Sequence, residues 1–198
     1  MNIICMGDSI TYGHGLAAPA ERWSALAEAA TGHRMINCGV NGDTTAGMLS
    51  RCQWEVFHRE EKADAMVLLG GINDLRITGM HQIACANLTA MARQAAALQI
   101  PVIVGLPLPV SPEDMAASGW DAHGAANHLP ELCRQYAGWI SAYFLPRGFP
   151  VADFRTPFLR PDGTVRRELF QDGLHPTAEG HRLMAQVLCR LLAALGWQ

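Results

Sequence analysis

Short β-rich runs alternate with longer helical stretches along this chain of 198 residues, which predicts an α/β fold. The sheet is expected to be parallel, with about five strands and helices on both faces. Two further observations point the same way. The run Ala65-Met66-Val67-Leu68-Leu69 is apolar throughout, as a strand covered on both faces must be. The length also suits one domain, because no linker, repeat or low-complexity segment divides the chain.

The expected strands are residues 2–6, 35–38, 65–69, 102–106 (entered through Pro101) and 150–154. Helical patterns lie between them near 20–30, 84–98 and 131–144, and a closing helix runs from about 177 to 195. The longest irregular piece, residues 107–127, carries Pro109, Pro112, Ser118 and Gly119. Loops beyond ~12–15 residues in a compact domain tend to be functional, so this one is a candidate wall of a site.

Composition narrows the chemistry. Hydrophobic residues make up 49% and charged residues 17%, enough apolar material for a substantial core. Fifteen Lys+Arg against eighteen Asp+Glu give a net charge of −3, which offers no electrostatic case for nucleic acid. Lys62 is the only lysine, so a phosphate-loop lysine and a Schiff base at a cofactor site are excluded. No apolar run reaches the ~18 residues of a membrane span, and the first residues lack a basic signal-peptide region. A cytoplasmic location is the expectation, and the surface pattern leaves the oligomeric state undecided. The six cysteines are scattered with no Cys-x-x-Cys pair, which favours free buried thiols over a metal knuckle or a disulfide framework. The histidines have no metal-ligand spacing either. No metal or cofactor is expected.

In open parallel sheets, ligands bind beyond the carboxyl ends of the strands. The residues just past each expected strand are therefore the informative ones. Gly7-Asp8-Ser9 stands after the first strand, Gly39-Val40-Asn41-Gly42-Asp43-Thr44 after the second, and Gly70-Gly71-Ile72-Asn73-Asp74 after the third. Asp172-Gly173-Leu174-His175-Pro176 stands before the last helix. Four polar, glycine-rich clusters thus converge on one edge of the sheet.

Each cluster has two readings. Ser9 comes two residues after Gly7, which permits a tight turn, and a serine there can be an exposed nucleophile or a helix cap. Asp172 and His175, three residues apart, can face each other so that the carboxylate fixes the imidazole tautomer; they can also be loop and surface residues. Gly42 can offer an unobstructed backbone N–H and Asn73 a side-chain amide to a developing oxyanion, with the Ser9 N–H as a third donor. Each is equally at home in a turn. Trp120, in the long loop, can line an acyl pocket or simply pack. Asp8, Asp43 and Asp74 could hold Mg²⁺, and residues 9–13 could seat a flavin phosphate on a helix N-terminus. There is no Gly-x-Ser-x-Gly, so the α/β-hydrolase elbow is not present.

Taken together, Gly7-Asp8-Ser9, Gly39-x-Asn41-Gly42-Asp43-Thr44, Gly71-Ile72-Asn73-Asp74 and Asp172-Gly173-Leu174-His175-Pro176 resemble the SGNH hydrolases, also called GDSL esterases and lipases. Order and spacing agree along nearly the whole chain. The resemblance implies a flavodoxin-like three-layer α/β/α sandwich over residues 1–198, with Ser9 as nucleophile, His175 as general base and Asp172 as its partner. It also implies an oxyanion hole from Ser9 N–H, Gly42 N–H and the Asn73 side chain, and hydrolysis of an ester through an acyl-enzyme. The family acts on short-chain acyl, aryl and sugar acetyl esters and on thioesters. The expected partner is therefore a small-molecule ester.

Overall fold

The computed structural model describes residues 1–120 and 126–197. Five parallel strands form one sheet: β1 (Asn2–Gly7), β2 (Arg34–Gly39), β3 (Ala65–Leu69), β4 (Val102–Gly105) and β5 (Val151–Ala152). Their order is β2-β1-β3-β4-β5, the flavodoxin-like order, in which the strand sequence reverses beside β1. Gly7 pairs with Gly39 on one side and with Leu69 on the other, so the carboxyl ends of β1, β2 and β3 are level. The segments leaving those three ends therefore emerge side by side.

Helices α1 (Ser9–Tyr12), α2 (Trp23–Thr31), α3 (Thr45–Cys52), α4 (Ile72–Thr78), α5 (Gln82–Ala97), α6 (Pro112–Ala117), α7 (Leu129–Phe144) and α8 (Ala178–Ala194) complete the fold. α2 packs on α8, whereas α3, α5 and α7 pack in succession, so the sheet is covered on both faces. β3 is fully buried along its length, as its unbroken apolar run requires. The buried core runs from Ile3 in β1 to Leu192 in α8. Among the described residues no helix is long and apolar enough to cross a membrane.

Four elements depart from the sequence expectations, among them α4, which stands where the sequence reading has only the polar cluster after β3. β5 is two residues long rather than five, because Phe154 N–H turns back to Ala152 O (2.9 Å) and the Asp153 carboxylate collects the N–H groups of Arg155 and Thr156. α3 stands where the sequence predicts no helix, capped by Thr44, whose hydroxyl accepts from Gly47 N–H. The long loop contains α6, with Pro112 in its first turn and Glu113 and Asp114 at its positive end. Residues 121–125 of that loop lie outside the described residues.

Candidate active site

Ser9 opens α1, a single helical turn that starts as soon as β1 ends. The Asp8 carboxylate accepts from Ile10 N–H (2.9 Å), and left-handed Gly13 ends the turn. Gly7 serves here through space rather than through its dihedrals. A Cβ on Gly7 would lie 2.1 Å from Thr11 Oγ1 and 2.7 Å from Leu69 O, so only glycine lets α1 fold this closely against the strand ends. The Ser9 side chain comes out next to His175: Oγ and Nε2 are 3.0 Å apart. Both residues are buried, at 6% and 3% exposure.

His175 Nδ1 lies 2.7 Å from Asp172 Oδ2. With that nitrogen donating to the carboxylate, Nε2 is left to accept the Ser9 hydroxyl proton. Asp172 itself is braced by the turn it begins, Oδ1 accepting from Leu174 N–H (3.0 Å) and His175 N–H (2.7 Å). Partial burial pushes its carboxyl up, but the hydrogen bonds from His175 ring and backbone, its charge and the Leu174 N–H together hold it below the usual carboxylate range. The carboxylate is therefore ionised at neutral pH, facing the imidazole Nδ1.

The neighbouring loops bring hydrogen-bond donors to the same edge. Gly42 adopts φ +74, a left-handed conformation, and a Cβ there would meet nothing within 4 Å. Among the described residues, neither the Gly42 N–H nor the Ser9 N–H donates to a protein acceptor. Asn73 lies in the first turn of α4, and its Nδ2 donates one hydrogen to Asp43 O (2.8 Å), which leaves the second free and ties α4 to the Gly42 loop. The three acidic residues each have separate work. Asp74 accepts from Thr45 N–H and Oγ1–H (2.9 and 2.6 Å), and Asp43 pairs with Arg51 Nε (2.8 Å). Asp8, 1% exposed, is pushed up to about 7, mainly by burial and against the Ile10 N–H and the nearby His175. Among the described residues no group of three or more His, Cys, Asp or Glu is arranged to hold a metal ion.

Nothing in the sequence marks Arg51. Its Nη2 donates to Gly7 O (2.8 Å) while Nε holds Asp43, so one half-buried guanidinium joins the end of β1 to the loop after β2. Trp120 also does something its position in the chain does not announce. Its Nε1–H donates to Asp172 Oδ2 at 2.7 Å, and its ring lies 5.1 Å from the His175 ring. His14 flanks His175 at 4.4 Å. No residue-type pattern points to either role; His14 and Trp120 are both brought in by the loops they sit on.

A narrow cavity of about 10 Å³ is lined by Asp8, Ile10, Leu69, Ile72, Leu108 and Leu174, among others. These include the immediate chain neighbours of Ser9, Asn73 and His175. Trp120 is not part of its lining. A roomier hollow of about 300 Å³, lined by Gln99, Pro101, Val102 and Pro150, opens at the amino ends of β4 and β5, the opposite end of the sheet from this chemistry.

Comparison with known proteins agrees with this geometry. Residues 5–183 match the GDSL-like Lipase/Acylhydrolase family. The chain belongs to that family. One relative, Esterase TesA of Pseudomonas aeruginosa, is 28% identical over 192 residues, covering 93% of this chain and 85% of its own. Among solved structures, a member of the lipolytic G-D-S-L family from Veillonella parvula superposes with a TM-score of 0.78 at 25% identity, covering 98% of each chain. The lipase/acylhydrolase of Enterococcus faecalis does so with a TM-score of 0.72, also at 25% identity, covering 98% of this chain and 96% of that one. The protein is thus a hydrolase of the GDSL esterase and acylhydrolase class, on the α/β fold of that family.

Proposed function

We propose that this GDSL hydrolase is a serine esterase acting on small carboxylic esters with short acyl groups, through an acyl-enzyme on Ser9. Ser9 Oγ attacks the ester carbonyl carbon while His175 Nε2 takes its proton. The carbonyl oxygen, now an alkoxide, receives hydrogen bonds from Ser9 N–H, Gly42 N–H and the free Nδ2–H of Asn73. Collapse of the tetrahedral intermediate expels the alcohol, which takes the proton back from His175. Water then attacks the acyl-enzyme by the same route, releasing the carboxylic acid and regenerating Ser9. Asp172 stays ionised throughout and holds the imidazole in the tautomer with Nδ1–H.

The observation that carries this proposal is the continuous relay Ser9–His175–Asp172, at 3.0 and 2.7 Å, beside backbone donors with no other partner among the described residues. A short acyl group is favoured because the cavity lined by the chain neighbours of Ser9, Asn73 and His175, though not by those residues themselves, holds about 10 Å³, room for about one water-sized group and not for a fatty chain. A phosphate seated on α1 is disfavoured, because Asp8 Oδ1 already occupies the Ile10 N–H.

Hydrolysis of p-nitrophenyl esters of increasing chain length tests the proposal. The acetate or propionate is expected to be fastest, with kcat/KM falling at least tenfold beyond four carbons. Ser9→Ala and His175→Ala are each expected to lower kcat by at least ~10³-fold while far-UV circular dichroism is unchanged. A fluorophosphonate should label the wild type once, on Ser9. Turnover retained in either variant overturns the assignment.

A further inference from the structure

Among the described residues, Asp172 accepts four hydrogen bonds. Leu174 N–H and His175 N–H fill Oδ1, while His175 Nδ1–H and Trp120 Nε1–H share Oδ2. That is the full acceptor capacity of a carboxylate. Three of the donors come from the turn that Asp172 itself begins. The fourth comes from 52 positions away in sequence and is, among the described residues, the one donor besides the imidazole that touches the oxygen facing it. An indole N–H can only donate and does not titrate in water, so this bond has the same character at every pH at which the enzyme works.

The loop that carries Trp120 is fastened to the loop that carries Asp172. Trp120 N–H bonds Met115 O (2.8 Å) at the end of α6, and Ser111 N–H, at the start of α6, bonds Gly173 O (2.9 Å). Asp114 of α6 pairs with Arg167, the Nε contact being 2.7 Å, and also accepts from Ser111 Oγ–H (2.7 Å). Above the indole, the Arg76 guanidinium sits 5.5 Å from the ring centre. The indole is therefore clamped by its backbone, its nitrogen and one ring face.

We propose that Trp120 is a positioning residue for hydrolysis: its indole N–H holds Asp172 Oδ2 in line with His175 Nδ1 and disperses part of the carboxylate charge that would otherwise fall on the imidazole. This rests on Ser9, His175 and Asp172 forming the hydrolytic relay proposed above. Two consequences are specific. Loss of the N–H frees Asp172 to swing, so the imidazole is less often aimed at Ser9 and kcat falls. The charge no longer shared with the indole stabilises the imidazolium more strongly, so the enzyme needs a higher pH to become a base. Among the described residues, the other titratable or charged groups near His175 are Asp8, His14 and His181, with Arg76 beyond the indole, and the exchange leaves all of them in place.

Trp120→Phe keeps an aromatic ring and removes the donor. Site-specific replacement of Trp120 by benzothienylalanine keeps the bicyclic shape with sulfur in place of N–H. For the acetate ester, both are expected to lower kcat about tenfold and to leave KM within about twofold. Both are also expected to move the acid limb of kcat/KM upward by roughly half a pH unit. The downfield Nδ1–H proton resonance of His175 should shift in both variants, a readout that does not require turnover. A changed KM with an unmoved acid limb and an unmoved resonance would make Trp120 a pocket wall and overturn the proposal. Should the wild type neither hydrolyse esters nor take the fluorophosphonate on Ser9, the relay itself fails; normal labelling with unaltered Trp120 variants sinks the positioning role alone.

Discussion

At Asp8 the fold holds a carboxyl group almost out of water, 1% exposed and pushed up to about 7, chiefly by burial. In the unfolded chain the group ionises near its ordinary 3.8, so between pH 3.8 and 7 the folded protein keeps a proton that the unfolded chain has released. Stability is whole below that window and declines as pH rises through it. Asp8→Asn keeps an oxygen for the Ile10 N–H and cannot ionise. The variant is expected to be more stable than the wild type at pH 8 by on the order of 4 kcal/mol in urea unfolding, with the difference vanishing near pH 3.5. Equal stability at pH 8 would show that Asp8 ionises freely in the fold. At this scale the sequence is legible where chemistry sits within a few residues of a strand end. Ser9, Gly42, Asn73 and the pair Asp172 and His175 can all be picked out by residue type, and the fold brings Ser9 Oγ and His175 Nε2 to 3.0 Å. The Trp120–Asp172 bond is illegible for a physical reason: a tryptophan in a loop looks the same whether its N–H meets a carboxylate or water.

Between elements, the contacts that matter most join segments far apart in the chain. α2 begins at Trp23 with no side-chain cap from its own flank. His181 of α8 supplies one across the interface, its Nδ1 accepting from Trp23 N–H at 3.2 Å. His181 is fully buried, and burial first, then the charges of Arg22 and His175, push it down to about 4. The unfolded chain takes up a proton there near 6.5, so this interface contributes fully above pH 6.5 and its contribution is lost as pH falls to 4. His181→Gln keeps an acceptor without the titration. Between pH 7 and 4 the wild type is expected to lose on the order of 3 kcal/mol more stability than the variant, read from urea midpoints at each pH. Parallel pH dependence in the two proteins would place the acid sensitivity elsewhere. The helices read from periodicity, α2, α5, α7 and α8, appear within about three residues of their expected ends, because each has an apolar face on the sheet. α3, α4 and α6 are not legible in the sequence because each is too short, about two turns, to show a helical periodicity. α3 is secured by Thr44 and by the Asp74–Thr45 clamp, and α6 by Arg167 and Gly173, partners that only the folded chain assembles.

Across the whole molecule, the thiols are distributed so that they report on its unity. Cys5 lies in β1, Cys52 in α3, Cys85 in α5 and Cys133 in α7, and all four are buried free thiols. Burial pushes Cys52, Cys85 and Cys133 up to about 12 and Cys5 higher still, so the thiolate needed for alkylation is nearly absent while the fold is intact. Their reaction with iodoacetamide therefore measures opening of the surrounding structure. Among the described residues the buried core is one continuous cluster that includes both faces of the sheet, with no separate core in either layer. A single cooperative domain over residues 1–198 follows as a proposal with a sharp consequence. In graded urea, the four thiols are expected to become reactive with one common midpoint, coincident with loss of far-UV ellipticity. Cys38 and Cys189, half-buried, serve as internal references that react earlier. Were Cys85 and Cys133 to become reactive at lower urea than Cys5, the α5–α7 layer would be opening independently of the central strand, and the single domain would have to be divided there.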